Sequence, residues 1–437
     1  MNLKYYVSSI GLSFFAKAIG LINIMLIIPL LVNNYSADEF GIYILLTQLI
    51  TIFGVLDFGL GSVLINEILF FRNSKQFGKI KEIIIQSFSF LLIVSLVLTL
   101  LTVFILFILK EPKSYDFLPD IIKSAKNLDL FKISVVFFLI LPFTLIQKIQ
   151  FGFLDNAVFH FVEVIQKIIQ GVGIFIMAKN TYNIFDIVFF YYSVILLTDM
   201  LNGIIYFFFI KKPILQSTKF TRQNLLPPLF KKSFYFFLVS LFFFFSNTID
   251  TYLISGFGNF QMLKDYDIIK RPYEICMVGI MIIISVLWPV FGEAYQKKQV
   301  SKIKMIVRRS LLTVTTGLLL LSLTMFFFGN EIISLWINQT KEYKVYLFLI
   351  VGLMYLMFSL GNVFIAYLNS ANSISVQVII YSVMTFIGVP FKIFFIKSYG
   401  LDGYFIASSI ILAFLFAIPL YYQYSKKVKK AKLESDT

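Results

Sequence analysis

VSSIGLSFFAKAIGLINIMLIIPLLV, residues Val7 to Val32, carries one charged side chain, Lys17, in the middle of an otherwise apolar run. As a helix rising about 1.5 Å per residue it crosses a hydrocarbon layer of roughly 30 Å. Lys17 then lies near half depth, too far in for easy snorkelling, and needs a polar place to point. At about 100° per residue, Ser9, Ser13, Lys17, Gly20 and Asn23 fall within one arc of roughly 120°, while Leu12, Ile19, Met25 and Leu26 take other faces. The helix therefore has a polar side. An intramembrane charge of this kind points to function, the alternative being a buried lysine held by a structural carboxylate.

Composition agrees with that reading. The 437 residues are 59% hydrophobic, 18% aromatic and 14% charged, with a mean hydropathy of +0.87, a mixture that cannot pack as a water-soluble globule. The chain is expected to be an all-α integral membrane protein. A β-barrel would alternate polarity over segments of about ten residues, whereas these apolar runs are long and nearly unbroken. The opening MNLKYY has no signal-peptide cleavage pattern, so the first run is expected to stay as a helix. One cysteine, Cys276, and one histidine, His160, leave neither an internal disulfide nor a metal-binding cluster to expect. The formal charge of +15 is spread over loops between spans, which argues for orientation in a bilayer and against nucleic acid as partner.

Apolar runs of sufficient length predict helices over Val7 to Val32, Phe40 to Phe70, Ile83 to Leu109, Leu130 to Leu154, Phe159 to Ala178 and Ile184 to Ile210. A second set follows over Ser233 to Phe257, Ile268 to Phe291, Met305 to Phe328, Val345 to Leu368, Ile374 to Ile396 and Gly403 to Tyr424. Basic residues gather after even-numbered spans: Arg72, Lys75, Lys79 and Lys81; Lys211, Lys212, Lys219, Arg222, Lys231 and Lys232; Lys297, Lys298, Lys302, Lys304, Arg308 and Arg309. The tail with Lys426, Lys427, Lys429, Lys430 and Lys432 joins them, so both termini are expected in the cytoplasm. The predicted organisation is a six-helix bundle over 1–210, a basic cytoplasmic linker over 211–232, a second six-helix bundle over 233–424 and a basic tail over 425–437. The short turns Gly152 to Ala157 and Ala366 to Ala371 occupy the same place in each half, as two parallel repeats would require.

Polar residues concentrate in the first two helices of each half. Thr47, Thr51, Gly54, Asp57 and Gly61 share an arc of the second helix, making Asp57 the expected partner of Lys17, and the glycines of Asp57-Phe58-Gly59-Leu60-Gly61 allow a bend. The seventh helix aligns Ser240, Asn247, Asp250, Thr251 and Ser255, and the eighth aligns Arg271, Glu274, Ser285, Pro289, Gly292 and Glu293. Such faces are expected to line a shared water-filled cavity, with Ser13, Asn23, Thr51, Asn247, Thr251 and Ser285 on its wall. Local pairing is expected for Arg271 with Glu274 and for Glu163 with Lys167, whereas Lys148 and Lys392 are expected to snorkel. Asp199 stays unassigned. Pro29, Pro142, Pro289, Pro390 and Pro419 mark kinks. No Walker A loop, HExxH, GxSxG or Gly-rich dinucleotide motif occurs, and the loops are too short for a soluble catalytic domain, so an enzyme is not expected.

Ile28-Pro29-Leu30-Leu31, Phe40-Gly41-Ile42-Tyr43 and Leu56-Asp57-Phe58-Gly59-Leu60 resemble the opening of polysaccharide repeat-unit flippases of the Wzx type. Asp250, Tyr266 to Arg271, and Leu287-Trp288-Pro289 through Glu293 resemble the matching second-half segments. The resemblance covers the chain in length, helix number and loop order, and points to the superfamily of multidrug, oligosaccharidyl-lipid and polysaccharide exporters. It implies two six-helix bundles related by pseudo-two-fold symmetry, forming a V around a central cavity and rocking between inward-open and outward-open states. It implies an undecaprenyl-diphosphate-linked oligosaccharide as cargo, moved to the outer leaflet of the bacterial cytoplasmic membrane for O-antigen or capsule, with a polymerase and a chain-length regulator as partners. Lys17 and Arg271 are then the diphosphate ligands, and Asp57, Asp250, Glu274 and Glu293 the groups that couple to a proton or sodium gradient or gate the bundles. No cofactor is implied. A cation-coupled drug exporter of the same superfamily and a non-transporting membrane partner of the polysaccharide machinery are the alternatives.

Overall fold

The computed structural model describes residues 3–108, 127–211, 224–371 and 373–436, and among them the chain is helices joined by short turns, with no strand. The side chains of residues 1–10, including Ser9, and those of Ser285 and Pro289 fall outside the description, as do most of the segment between the third and fourth predicted helices and most of the predicted basic linker.

Helices α1 (Leu3–Asn34), α2 (Ala37–Leu56, resuming as Leu60–Asn73), α3 (Phe77–Ile108), α4 (Asn127–Gly152), α5 (Asn156–Lys179) and α6 (Ile184–Ile210) follow in order. Next come α7 (Leu226–Phe243, continued through Phe244–Thr248 to Asp250–Phe257), α8 (Phe260–Gln296), α9 (Val300–Ile337) and α10 (Val345–Ser370). The last pair, α11 from Ile374 and α12 to Asp436, is continuous except at Gly400, whose φ of 63° and ψ of −140° break the helix. Ten segments pass as spans on length and apolarity alone. The shortfall from twelve has two sources: α11 and α12 run together as one segment, Ile374–Lys430, and the uncharged second half of α8 is interrupted by side chains that fall outside the description. The all-α, twelve-helix membrane fold is therefore the observed one.

Three helices depart from regularity for reasons visible in the sequence. In α2 the break falls at Phe58 and Gly59, with φ of 53° and 72°. Asp57 initiates the second half by accepting the Gly59 N–H at 2.7 Å and the Gly61 N–H at 3.3 Å, a short side chain capping orphan donors. Gly59 is required twice over, because a Cβ there would also lie 2.5 Å from the Ser233 carbonyl oxygen and 2.7 Å from the Phe237 nitrogen. In α11 and α12, π-helical turns at Met384–Gly388 and Leu412–Ala417 end just before Pro390 and Pro419. A proline lacks the N–H that residue i−4 would accept and its ring crowds that carbonyl, and widening the turn relieves both.

The chain divides into two compact units, Met1–Ser240 and Leu241–Thr437; the division falls inside the first segment of α7. Within the first unit, interhelical hydrogen bonds join several neighbouring pairs. Asn23 and Asn34 of α1 donate to the Lys167 and Ala178 carbonyls of α5 at 2.7 and 3.0 Å. Ser95 of α3 donates to Phe138 of α4 at 2.7 Å, and Gln150 of α4 donates to the Asn202 amide oxygen of α6 at 2.8 Å. In the second unit the Tyr273 hydroxyl of α8 reaches the Phe348 carbonyl of α10 at 2.5 Å, Ser409 of α12 reaches Ile350 at 3.1 Å, and Thr385 of α11 reaches Phe242 of α7 at 3.1 Å. In lipid, where burying apolar surface gives helices little reason to associate, such bonds and close packing hold the bundle, at about 0.6–2 kcal/mol per bond. The outward faces suit lipid: Ile93, Leu96, Leu100 and Phe104 of α3 are each about half exposed or more.

Candidate functional site

On α8, Asp267, Lys270, Arg271 and Glu274 follow the i, i+3, i+4, i+7 spacing that places side chains on one helical face. Asp267 is completely buried, and a lone carboxylate there would be several kcal/mol unfavourable. Its partner is Arg271, whose Nε donates to Oδ2 at 3.0 Å while Nη2 donates to Oδ1 at 2.7 Å and Oδ2 at 2.9 Å. This forked geometry suits a guanidinium and would be lost with lysine. Arg271 Nη1 donates in turn to Glu274 Oε2 at 2.8 Å. Lys270 Nζ lies 3.2 Å from Glu274 Oε1 and 3.5 Å from Asp267 Oδ1, and 4.5 Å from the centre of the Tyr266 ring. Two cations and two anions thus balance.

Tyr266 connects this cluster to a second one. Its ring meets Tyr404 of α12 edge-on at 5.2 Å, and the Tyr404 hydroxyl donates to Asp250 Oδ2 at 2.8 Å. Lys392 of α11 donates to Asp250 Oδ1 at 2.7 Å and to the Ser246 carbonyl at 2.9 Å. Ser246 lies in the π-helical turn Phe244–Thr248 of α7, where the shifted register leaves that carbonyl facing the ammonium. Lys392 was expected to snorkel; instead it is only 4% exposed. It sits eight residues, or about 12 Å, from the end of α11 at Gly400, and a carboxylate is at hand.

The first unit carries separate polar groups. Lys17 is half-buried and among the described residues it has no hydrogen-bond or ion-pair partner. Asp57, its expected partner, caps the second half of α2 instead, and the cation beside it is Lys148: Asp57 Oδ2 and Lys148 Cγ lie 2.6 and 3.0 Å from the position of a Cβ on Gly61. Lys167 of α5 pairs with Glu163 at 2.8 Å, and Glu163 with His160 at 3.1 Å; Lys167 Nζ also donates to the Ala16 carbonyl of α1 at 3.2 Å. The expected Glu163–Lys167 and Arg271–Glu274 pairs are both present.

Of the residues read as cavity lining, Asn23 lies in the α1–α5 seam, Thr51 donates to its own helix at Gln48 (2.8 Å), and Asn247 donates to Ser246 Oγ at 2.6 Å. Thr251 is buried and Ser13 half-buried; the Ser285 side chain is outside the described set. Glu293 pairs with Lys297 at 2.6 Å, with both side chains more than half exposed. The structure therefore brings Arg271 and Glu274 together and sets Asp250 in the adjoining cluster. Asp267, Lys270, Tyr266, Tyr404 and Lys392 complete these clusters without having been singled out as site residues, although the spacing of Asp267 to Glu274 was a legible signal. Among the described residues no group of His, Cys, Asp or Glu is placed to hold a metal ion.

A family model described as polysaccharide biosynthesis protein matches residues 7–295. Solved structures with the same fold include a multidrug resistance MATE family transporter of the MOP superfamily in its inward-facing conformation, with a TM-score of 0.72, 13% identity, and coverage of 96% of this chain and 99% of that one. An outward-facing MATE family transporter of that superfamily gives 0.67 at 12% identity, over 98% of this chain and 96% of the other. A MOP superfamily transporter from Pyrococcus furiosus, whose binding pocket is described as of reverse polarity, gives 0.67 at 13% identity, over 98% and 96%. No curated protein matches the sequence. At these identities the likeness is one of fold.

Proposed function

The chain belongs to the polysaccharide biosynthesis protein family, and from that premise we propose that it carries undecaprenyl-diphosphate-linked oligosaccharide repeat units from the cytoplasmic to the outer leaflet by alternating access. The product supplies O-antigen or capsule synthesis in the bacterial cytoplasmic membrane, with both termini cytoplasmic, and a polymerase and chain-length regulator act downstream. The observation that carries this reading is Lys17, a half-buried cation on a membrane helix with no counter-ion among the described residues. A charge at such depth is costly until an anion joins it, and a diphosphate headgroup brings strongly accepting oxygens to a site of low dielectric. In the second unit Arg271, partly accessible at 18% of its side-chain surface, is the candidate diphosphate ligand. Asp57, Asp250, Glu274 and Glu293 are the candidates for coupling to a proton or sodium gradient or for gating.

The test is complementation of a strain lacking its repeat-unit flippase, with surface polymer as the readout. Lys17→Ala and Arg271→Ala are each expected to abolish polymer while the protein stays in the membrane at normal levels. Wild-type polymer in both variants would overturn the assignment.

A further inference from the structure

The two carboxylates of the α8 cluster differ in kind. Asp267 has no exposure, is forked onto Arg271 through three hydrogen bonds, and lies 3.5 Å from Lys270. It cannot leave without stranding a guanidinium that is mostly withdrawn from solvent. Glu274 is 32% exposed and makes one contact per oxygen, Oε1 to Lys270 at 3.2 Å and Oε2 to Arg271 at 2.8 Å. Its two oxygens therefore bridge two cations from the accessible side, which is how two oxygens of a phosphoryl group would bridge them.

We propose that Glu274 is an exchangeable stand-in for an anionic ligand: it occupies the seat formed by Lys270 and Arg271 when the site is empty and swings out when a diphosphate arrives. The proposal rests on the transport reading only for the choice of a diphosphate. Asp267 is the permanent counter-ion, and it holds Arg271 in place whichever anion sits opposite. With Glu274 in the seat the four charges cancel; with Glu274 displaced, Lys270 and Arg271 face the ligand with one net positive charge. The exchange gives release as well as capture, because a departing diphosphate leaves a seat that the tethered carboxylate refills at high effective concentration. Lys270 becomes a ligand of equal standing to Arg271.

The purified protein in detergent tests this with inorganic pyrophosphate as probe and calorimetric titration as readout. Glu274→Gln keeps the shape of the side chain and removes the competing charge, so pyrophosphate is expected to bind at least about tenfold more tightly than to wild type. Adding Lys270→Met to Glu274→Gln is expected to erase that gain, which separates the seat from surface lysines. Unchanged or weaker binding by Glu274→Gln, with a ligand-free melting curve like that of wild type, overturns the proposal; Glu274→Ala gives the same readout if the glutamine variant does not fold. A prenyl diphosphate binding more tightly than inorganic pyrophosphate identifies a lipid as the source of the group, and equal binding identifies a soluble diphosphate; each supports the exchange. Normal polymer export in Lys17→Ala and Arg271→Ala would sink the transport reading while leaving a tenfold gain in Glu274→Gln intact.

Discussion

Replacing Lys392 with methionine should lower the stability of the second unit more than any surface change could. The ammonium is 4% exposed and Asp250 7%. Removing it leaves a buried carboxylate with the Tyr404 hydroxyl at 2.8 Å, and leaves the Ser246 carbonyl without the donor it now has at 2.9 Å. Breaking a buried ion pair from one side costs about 3–5 kcal/mol, because the surviving charge has lost both water and partner. At roughly 2–4 °C of melting temperature per kcal/mol for a unit of this size, Lys392→Met should melt about 10 °C below wild type. Helical circular dichroism of the detergent-solubilised protein measures this directly. Adding Asp250→Asn removes the stranded charge and keeps an acceptor for Tyr404, so the double variant should regain most of the loss, with a coupling of about 1–3 kcal/mol between the sites. A single variant that melts with wild type, or a double variant no better than the single, would refute the reasoning.

Gly59→Ala places a side chain at a φ of 72° and a Cβ 2.5 Å from the Ser233 carbonyl; the left-handed conformation alone costs about 1–2 kcal/mol, so melting should fall by several degrees. Asp57→Asn keeps an acceptor for the Gly59 N–H whereas Asp57→Ala does not, so a purely capping role predicts normal polymer export from the asparagine variant and reduced protein from the alanine one. Loss of export in Asp57→Asn at normal protein level would instead place Asp57 in ion coupling. A cysteine at Gln216, with Cys276 replaced, should react with an impermeant thiol reagent in inverted vesicles and not in intact spheroplasts; labelling from outside would reverse the assigned orientation.

The helices were legible in the sequence because apolar length decides them, and so was the bend in α2, since two glycines follow a capping carboxylate. Their ends were less so. Helix α9 was expected from Met305 to Phe328 but runs Val300–Ile337, because Lys302 and Lys304 at one end and Asn330 and Glu331 at the other interrupt the apolar run without ending the helix. Pairings within a helix could be read from spacing, as with Glu163 and Lys167. Those between helices could not: Lys392 and Asp250 are 142 residues apart, and nothing local says that a lysine near Pro390 will turn inward. The same limit put Lys17 with Asp57, a match made on depth and charge, where the folded α2 had already committed that carboxylate to its own backbone.

The left-handed pivot at Phe58–Gly59 looks like a free joint and is not one. With the Ser233 and Phe237 backbone pressed against Gly59 and the Phe58 ring stacked on Phe237 at 5.7 Å, the elbow of α2 is wedged against the opening turns of α7. Any tilt of one must drag the other along. A flexing motion in this part of the first unit is therefore geared, and its stiffness should depend on the bulk at residues 58, 59 and 237 more than on the intrinsic softness of glycine.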